Sequence, residues 1–304
     1  MLKIGIIGLG DIAAKAYLPV ISARPGLDIH LCSRNREQME QLAAQYRFTK
    51  MHGETGSLIA AGIDGAFVHA ATLGHAAIIR PLLEAGIPVF VDKPISLHYE
   101  ESAALTELAK QNGTFLTTGF NRRFAPVYRE LKAINEPTLI VMQKNRHQLP
   151  GEIRSFILDD FIHVVDTLLW LLPAPAHRKT ITCMRDGAML KQITIQFTTE
   201  NGATAIGIMN RNTTANEERL EVMSAGEKKI AVNVSELVAE ERKSSSAIRG
   251  NDWEPTLHKR GFAPMITDFL SALENRTQPA ISMDDALYTH RICEEIIEEI
   301  MRGG

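Results

Sequence analysis

Short apolar runs alternate with stretches of helical spacing along the first 120 residues of the chain. Apart from Lys3 and His69, runs such as Leu2–Ile7 and Ala66–Ala70 are apolar throughout, which is typical of strands in a parallel sheet covered on both faces. Between such runs, as in Arg36–Tyr46 and Tyr99–Gln111, apolar positions recur with helical periodicity. Strands separated by helices predict βαβ units, so we expect residues 1–122 to form a doubly wound α/β domain.

The pattern changes after residue 124, where strand-like segments follow one another directly. Asn201-Gly202 and Ala225-Gly226 are typical of hairpin turns between such strands. One apolar helix is predicted at Phe161–Leu172, and two more close the chain. We therefore expect residues 123–304 to form an α+β domain with a largely antiparallel, open sheet, and its last helices can pack back on the first domain. Lys243–Ser246 is expected to be a loop.

Composition excludes several classes of protein. Apolar residues make up 45% of the 304 and the net charge is −3, so a core forms without metal or disulfide support, and neither nucleic acid nor a membrane surface is an expected partner. The three cysteines match no zinc spacing, so no metal site is predicted. No signal-peptide pattern or apolar stretch of about 20 residues occurs, so the expected location is cytoplasmic.

A glycine-containing loop directly follows the first predicted strand. Residues 8–13, with the pattern G-x-G-x-x-A, also open the first predicted helix. Gly8 permits the tight turn, Gly10 lets a ligand approach the backbone, and Ala13 allows close helix–strand packing. The N–H groups at the start of a helix favour phosphate. This context predicts a Rossmann domain whose loop, including Asp11 and Ile12, holds the phosphates of a dinucleotide.

The end of the second strand indicates which dinucleotide binds. NAD-binding domains usually carry an acid there, about 20 residues after the loop, that holds the ribose 2′-hydroxyl. This chain has Ser33 and Arg34 instead, and its first acid, Glu37, lies inside the next predicted helix. A hydroxyl and a guanidinium both suit a 2′-phosphate, so we expect NADP to be preferred, with NAD as the other cofactor. The alternative is that Arg34 only flanks an exposed turn.

Three residues are candidates for catalysis. Lys93 follows the strand Val89–Val91, and the carboxyl end of a parallel strand is where ligands bind in such sheets. Asp159 and His163 are four residues apart, so they share one face of a helix. A carboxylate, an imidazole and a lysine can act together in general acid–base catalysis. The alternatives are a surface lysine, a core histidine, and an aspartate, Asp159 or Asp160, that caps the helix.

Taken together, these motifs resemble the Gfo/Idh/MocA oxidoreductase family over nearly the whole chain. The similarity covers the glycine loop, Thr72 and His75 after the fourth strand, Asp92-Lys93-Pro94, the sequence GFNRRF at residues 119–124, and the D-x-x-x-H helix. Within the family the chain looks most like the MviM group. Two features depart from the family pattern: the acid before Lys93 is Asp92 rather than Glu, and the Asp159-Asp160 doublet leaves two registers, of which the four-residue spacing favours Asp159.

The resemblance implies an NAD(P)-dependent enzyme that acts on CH–OH groups, moving a hydride between nicotinamide and a carbon of a sugar, sugar derivative or cyclitol. It implies that Lys93 contacts both cofactor and substrate, that Asp159 orients the substrate, and that His163 is the general acid/base, although either Lys93 or His163 can transfer the proton. Thr72, His75 and Asn121 are implied as cofactor contacts. A homo-oligomer, dimer or tetramer, formed through the exposed face of the C-terminal sheet is implied as well.

Two other functions are alternatives to a dehydrogenase. A non-catalytic regulator that senses dinucleotide has no need of Lys93, Asp159 and His163 together, and a family glycosidase that uses NAD transiently fits Ser33-Arg34 less well.

Arg122 and Arg146 would suit an acidic or phosphorylated sugar, and a surface salt bridge explains either one equally well. The full set of residues expected to line a substrate pocket is Arg122, Arg123, Arg146, His147 and Trp253.

Overall fold

The computed structural model describes residues 1–241, 244–249 and 253–303 of the chain. The chain divides into two compact units. The first consists of Met1–Gly119 and Phe262–His290, and the second of Phe120–Gly261 and Arg291–Gly304. Each unit therefore contains two separate stretches of sequence.

Strands and helices alternate in the first part of the chain, and strands predominate in the middle. The strands are β1 (Leu2–Ile7), β2 (Leu27–Cys32), β3 (Lys50–His52), β4 (Gly65–Val68), β5 (Val89–Val91), β6 (Leu116–Thr118), β7 (Leu139–Asn145), β8 (Gly151–Glu152), β9 (Ala176–Asp186), β10 (Met189–Thr199), β11 (Thr204–Asn210), β12 (Glu217–Met223), β13 (Lys228–Val232), β14 (Glu236–Glu241) and β15 (Ser244–Arg249). The α-helices are α1 (Leu18–Ser22), α2 (Arg36–Tyr46), α3 (Thr55–Ala60), α4 (His75–Glu84), α5 (Tyr99–Gln111), α6 (Pro126–Lys132), α7 (Ile153–Phe156), α8 (Ile162–Leu171), α9 (Thr256–Lys259), α10 (Phe262–Asn275) and α11 (Met283–Arg302). Turns of π-helix occur at Ala13–Tyr17 and Ile157–Phe161, and turns of 3₁₀-helix at Thr72–Gly74 and Asn121–Phe124.

The sheet of the first unit is parallel, with the strand order β3-β2-β1-β4-β5-β6. The chain runs outward from β1 on one side and then returns to the other, so the order reverses between β1 and β4. Ligands of open α/β sheets bind at the carboxyl ends of the strands beside such a reversal. The doubly wound Rossmann prediction is confirmed.

Residues late in the sequence complete the core of this unit. The ring of Phe269, on α10, lies 4.8 Å from that of Phe67 and 5.7 Å from that of Phe90. Gly65 allows this approach, because a Cβ there would lie 2.5 Å from Leu273. Burial of such aromatic clusters stabilises a core by several kcal/mol, of the order of 1.5–3 kcal/mol for each fully buried ring.

Two elements of the first unit escaped prediction. The strand β3 has three residues, none of them fully buried, and the helix α3 buries Leu58 among its six residues. The strand β3 presents no run of apolar positions, and that of α3 is limited to residues 58–60, so the signal on which strand and helix predictions depend is weak in both. The helical spacing of apolar residues after the glycine loop predicts one helix over residues 12–23, and the structure has a π-turn over Ala13–Tyr17 that continues as α1.

The second unit contains a nine-stranded sheet with the order β15-β14-β13-β12-β7-β11-β10-β8, to which β9 adds by pairing with β10. Its pairs are antiparallel except that of β7 with β11. This confirms the prediction of a largely antiparallel sheet. The helix α8 packs close to β11, because Gly207 has no side chain and a Cβ there would lie 2.7 Å from Val164.

Both predicted hairpins are present, and one predicted loop is not a loop. Asn201-Gly202 connects the antiparallel strands β10 and β11, and Ala225-Gly226 connects β12 and β13. Within the predicted loop Lys243–Ser246, Ser244 begins β15, which pairs with β14, while Lys243 lies outside the described residues. Backbone hydrogen bonds across a hairpin form whatever the side chains, so a serine-rich segment can be a strand.

The described residues contain neither a membrane-spanning helix nor a cluster of metal ligands. No helix among them combines the length and the apolar character that a membrane crossing needs. Their His, Cys, Asp and Glu side chains form no group of three or more that could hold a metal ion. The cysteines Cys32, Cys183 and Cys293 are free thiols.

Candidate functional site

The glycine loop forms a tight turn between β1 and the first helix. Gly8 has a φ of +85°, and a Cβ on it would lie 2.4 Å from the backbone nitrogen of Ala70, so only glycine fits. At Gly10 an added Cβ would meet nothing within 4 Å. The backbone at Gly10 is therefore open to an approaching ligand, while Ala13 is fully buried against the sheet.

A cavity of about 970 Å³ opens above this turn, within the size range of about 300–1,000 Å³ typical of small-molecule sites. Its walls come from the ends of β1, β2 and β4 and from the turns that follow them. The lining residues include Gly8, Gly10, Ser33, Arg34, Glu54, His69, Ala70, Ala71 and Gly74. A cavity of this volume across these strand ends, with open backbone at Gly10, fits a dinucleotide with its phosphates at the glycine loop.

The residues predicted to bind cofactor are distributed unevenly around this cavity. Those that line it are Gly8, Gly10, Ser33 and Arg34. Those of the first unit that lie outside its lining are Asp11, Ile12, Ala13, Thr72, His75 and Lys93. Asn121 belongs to the second unit, where its side chain donates to the carbonyl of Arg260 at 2.7 Å. Asp11, exposed at the start of the helix, pairs with Lys15.

One end of the cavity carries both a cation and an acid. Arg34 is exposed there, and the Ser33 hydroxyl accepts a hydrogen bond from the Asn35 backbone, which leaves its proton available to a ligand. Glu54, which follows β3, also lines the cavity. Burial, and secondarily the charge of Glu54, raise the pKa of the Cys32 thiol to about 11. The sequence prediction had missed this acid, because β3 itself was missed.

The acid of the Asp92-Lys93-Pro94 motif is held by two aromatic side chains. The phenol of Tyr17 donates to Asp92 Oδ1 at 2.5 Å, and His69 Nδ1 lies 2.8 Å from Oδ2. The Tyr17 and His69 rings pack with their centroids 3.9 Å apart. Burial alone would raise the pKa of Asp92, but interactions with His69, Tyr17 and His75 together lower it. Burial, with the charge of Asp92, raises the pKa of Tyr17 well above its usual value.

His69 lines the cavity, and its two ring nitrogens differ in their partners. Nδ1 faces the carboxylate of Asp92 at 2.8 Å. Nε2 is buried and has no hydrogen-bond partner among the residues that the structure describes. Such an atom normally finds a partner, and His69 lines the dinucleotide cavity. The site therefore fits the cofactor in the size of its cavity and in the open backbone at Gly10.

The chain around Lys93 is fixed from both sides. The Lys93–Pro94 peptide bond is cis, and Lys93 is half-buried. His75 contacts the carbonyl oxygens of Pro94 and Ala70 with its two ring nitrogens, at 3.0 and 2.9 Å. Just beyond, the backbone N–H of Ile95 donates to Nε2 of the buried His290 at 2.9 Å. His75 thus supports the loop that carries Lys93.

Asp159 and His163 lie in the second unit, at a widened turn of helix. The helical segment begins at Ile153, so neither aspartate caps it, and the π-turn Ile157–Phe161 inserts both aspartates into its middle. Asp159 is exposed and His163 is half-buried. Turns of π-helix are rare and occur frequently at functional sites. This favours Asp159, the exposed member of the Asp159-Asp160 doublet, as the functional acid.

Asp160 points to the interior and meets three cations. Its carboxylate contacts Lys144, accepts from Arg146 Nε at 3.0 Å, and accepts from an Arg211 terminal nitrogen at 3.1 Å. The Arg211 guanidinium also lies over the Phe156 ring, at 4.6 Å. Asp160 is therefore an anchor for the π-turn, which explains why the doublet contains two acids.

Arg122 and Arg123, which were expected to line a substrate pocket, are instead buried in ion pairs. Arg122 forms two hydrogen bonds to Glu218, at 2.7 and 2.6 Å, and Arg123 forms two to Asp166, at 3.0 and 2.7 Å. Burial alone would raise the pKa of Glu218, but the Arg122 guanidinium and the neighbouring donors lower it to about 2. Removing one partner of such a pair leaves a buried charge, at a cost of about 3–5 kcal/mol.

The other residues expected to line a substrate pocket are placed differently. Arg146 lines a small cavity of the second unit, His147 is exposed, and the side chain of Trp253 is 91% exposed.

Family models match both parts of the chain. Residues 2–120 match the Gfo/Idh/MocA model, described as an oxidoreductase family with an NAD-binding Rossmann fold. Residues 126–242 match the YceM-like C-terminal domain. YceM of Salmonella typhimurium, which is named as an oxidoreductase, is 32% identical over 308 residues, covering 97% of each chain. The chain belongs to the Gfo/Idh/MocA oxidoreductase family.

Other members of the Gfo/Idh/MocA family are similar over different lengths. A crystal structure of the MviM dehydrogenase of Clostridium difficile superposes with a TM-score of 0.93 at 30% identity, covering 98% of this chain and 99% of that one. Hyg17 of Streptomyces leeuwenhoekii, a myo-inositol dehydrogenase, is 26% identical over 200 residues, which is 62% of this chain and 60% of that protein. The predicted family, its MviM-like character and the oxidoreductase class are confirmed.

This Gfo/Idh/MocA oxidoreductase therefore binds NAD-type cofactor in its first unit, and several of the residues that shape that site were not predicted. Tyr17 and His69 hold the acid beside Lys93, and His290 holds the loop after it. A clue was available for His69, which lies at the end of an apolar strand where a polar side chain is unusual. Tyr17 and His290 gave no comparable signal.

Proposed function

We propose that the chain is an NADP-dependent dehydrogenase that moves a hydride between nicotinamide and a hydroxyl-bearing carbon of a sugar, sugar derivative or cyclitol. The observation that carries the proposal is the turn Ile157–Phe161, which presents an exposed acid, Asp159, four residues before a half-buried imidazole, His163. A carbinol carbon gives up a hydride readily only as its hydroxyl proton leaves, so a base is required. The name of Hyg17 as a myo-inositol dehydrogenase supports this substrate class.

Each candidate has a role that suits its chemistry. When bound, the nicotinamide supplies the hydride acceptor or donor. His163 takes or returns the hydroxyl proton, since imidazole ordinarily titrates near neutral pH. Asp159 orients the substrate by accepting hydrogen bonds from its hydroxyl groups. Lys93, which follows β5 on the loop that His75 supports, binds cofactor ribose and substrate and stabilises negative charge on the reacting oxygen.

The preference for NADP rests on Ser33 and Arg34. Arg34 is exposed at the end of the cavity where the second strand ends, and a guanidinium binds phosphate in a bidentate manner. Glu54 in the same lining is the competing feature, because a carboxylate there suits a ribose 2′-hydroxyl and hence NAD. The balance between Arg34 and Glu54 decides the cofactor.

The purified chain tests the proposal directly. Its absorbance spectrum reports bound dinucleotide, and polyols, sugar acids and cyclitols are then screened for NADPH formation at 340 nm. We expect turnover with at least one class, with kcat lowered at least 100-fold in His163→Ala and Lys93→Ala. The matched controls are His177→Ala and Lys50→Ala, which alter exposed residues. Variants of His163 and Lys93 that turn over as fast as the wild type would refute the catalytic assignment, and cofactor binding without turnover of any class would indicate a regulator.

A further inference from the structure

A second, smaller cavity of about 180 Å³ lies wholly within the second unit. It lies beside the end of β7, the start of β12 and the turn between β13 and β14. Two arginines, Arg146 and Arg260, and two asparagines, Asn216 and Asn233, contribute to its walls, together with Glu217 and Glu218. The volume suits a group of a few atoms and is too small for a whole nucleotide.

Both oxygens of Glu218 and one oxygen of Glu217 are already in use as hydrogen-bond acceptors in this cavity. Glu218 accepts from Arg122 with both oxygens and from the phenol of Tyr128 at 2.6 Å. Glu217 accepts from the side chain of Asn145 at 2.6 Å. What the walls retain for a ligand is therefore mainly donor capacity.

The asparagines add to that donor capacity. Asn216 accepts from the backbone N–H of His147 at 3.0 Å, and Asn233 accepts from that of Glu218 at 3.2 Å. With each Oδ1 engaged, the amide nitrogen is the group that each side chain retains for a ligand.

The cavity wall carries two arginines and two glutamates, and one of the glutamates, Glu218, is already neutralised by Arg122. Arg146 shares the single carboxylate of Asp160 with Lys144 and Arg211, and its side chain remains 31% exposed. Arg260 is exposed at the same cavity. Burial lowers the pKa of Arg146, and the charges of Arg122, Arg211 and Arg260 lower it further against the opposing effect of Glu218. An anion in the cavity would relieve this repulsion.

The backbone beside the cavity is strained. Asn233 and Val234 have φ values of +51° and +62°, and Val234 is buried. A β-branched residue at a positive φ is an outlier, whereas glycine adopts such a φ readily. Strain of this kind is typical of ligand sites, and here it places the Asn233 amide at the cavity wall.

We propose that this cavity is a subsite for an anionic group, a carboxylate or a phosphate, carried by the substrate. Arg260 and Arg146 would supply charge-assisted hydrogen bonds, and Asn216 and Asn233 neutral ones. Arg146 contacts Asp160, the residue next to Asp159, so the subsite adjoins the turn that carries the proposed substrate-orienting acid. The substrate class is thereby narrowed to sugar acids or sugar phosphates, and this narrowing rests on the proposed function.

Calorimetric titration of the full chain without cofactor tests the subsite. The probes are D-gluconate and inorganic phosphate, with sorbitol as the neutral control. Because phosphate can also enter near Arg34, the titrations are repeated in Arg34→Ala. We expect gluconate and phosphate to bind, sorbitol to bind at least 10-fold more weakly, and Arg260→Gln to weaken both anions at least 10-fold. Arg260→Gln keeps the backbone carbonyl to which Asn121 donates.

Two further variants complete the design. Arg219→Gln removes an exposed arginine of β12 that pairs with Glu221, and it should bind the anions as the wild type does. Arg146→Gln should weaken them as Arg260→Gln does. Anion binding that is absent, or equal in all these variants, would overturn the subsite. If neutral polyols were turned over with a kcat/KM at least as high as that of their acids or phosphates, the link to substrate would be overturned.

The subsite and the proposed function fail in different ways. Anion binding that depends on Arg260 supports the subsite without any turnover, so its presence in a chain that oxidises nothing would refute the dehydrogenase and leave the anion site standing. Conversely, turnover of neutral polyols with no anion binding would refute the subsite and support the dehydrogenase.

Discussion

Tyr17 donates a hydrogen bond from its phenol to the carboxylate of Asp92 at 2.5 Å, across 75 positions of sequence. Tyr17 lies in the π-turn that follows the glycine loop, and Asp92 precedes Lys93. One hydrogen bond therefore connects the phosphate-binding turn with the motif that carries the proposed catalytic lysine. Gly119 closes the same site, because a Cβ on it would lie 3.2 Å from the phenol oxygen.

Substituting Tyr17→Phe should destabilise the protein. The ring packing on His69 is kept, but the carboxylate loses a donor, and a poorly satisfied polar group in such a site costs about 1–3 kcal/mol. Urea unfolding followed by circular dichroism measures the change. Tyr46→Phe, at a half-buried position of α2, is the control and should change stability by less than about 0.5 kcal/mol. Equal stability of the two variants would contradict the importance of the hydrogen bond.

His290 should make stability depend on pH. Its Nε2 accepts from Ile95, which requires the neutral ring, and burial lowers the pKa of His290 from 6.5 to about 4. Between pH 6.5 and about 4, His290 is therefore protonated in the unfolded chain and neutral in the folded chain. Stability is unaffected above about pH 6.5 and falls as the pH drops toward 4, by up to roughly 3 kcal/mol for such a shift.

The variant His290→Gln separates this contribution from that of other groups. Its amide oxygen can accept from the Ile95 N–H, and it does not titrate. We expect the decrease in the free energy of unfolding between pH 6.5 and 4.5 to be smaller in His290→Gln than in the wild type. The comparison is made by urea titration at several pH values, and parallel curves would show that His290 does not contribute.

Gly261 should tolerate no side chain. Its φ is +82°, and a Cβ there would lie 2.0 Å from the carbonyl oxygen of Asn121 and 2.7 Å from the nitrogen of Ala125. We expect Gly261→Ala to lower the free energy of unfolding by more than about 2 kcal/mol, measured by chemical or thermal unfolding. Gly226→Ala is the control, since nothing lies within 4 Å of a Cβ there. A shift in Gly261→Ala as small as that of the control would be inconsistent with the close packing.

Arg34 and Glu54 should have opposite effects on cofactor choice. Loss of a charged hydrogen bond to phosphate is worth about 1.5–3 kcal/mol, so Arg34→Ala should weaken NADPH about 10- to 100-fold and NADH much less. Glu54→Gln removes the acid that lines the same end of the cavity and should leave NADPH binding equal or tighter. Fluorescence titration of both reduced cofactors measures the dissociation constants. Tighter NADH than NADPH binding in the wild type, weakened by Glu54→Gln, would show instead that the acid holds the ribose.

Much of the first unit can be predicted from sequence, because most of its strands and helices show a local pattern of apolar residues. The apolar run Leu2–Ile7 and the helical periodicity of Arg36–Tyr46 have the predicted bounds. The strand β3, in which no residue is fully buried, shows no such pattern in the sequence. Because β3 was not predicted, Glu54, which follows it and lines the cofactor cavity, was not predicted as a site residue.

Polar residues with distant partners could not be interpreted from sequence. Arg122 pairs with Glu218, 96 positions away, and Arg123 with Asp166, 43 positions away. Nothing local distinguishes a buried arginine in such a pair from one that faces a ligand, because the distinction depends on tertiary contacts. Asp159, by contrast, could be singled out from sequence, because its spacing of four residues from His163 is a local property.

Phe269, Leu273 and His290 complete the unit that begins at Met1, although residues 120–261 separate them from the rest of it. During synthesis the sheet β1–β6 leaves the ribosome long before α10 exists to cover Phe67 and Phe90. At about 5–20 residues per second this interval is on the order of ten seconds. The first stretch of the cofactor-binding unit is thus translated before residues 120–261, but the unit cannot be finished until α10 has emerged, so the nascent protein has a period in which its aromatic core is open to chaperones.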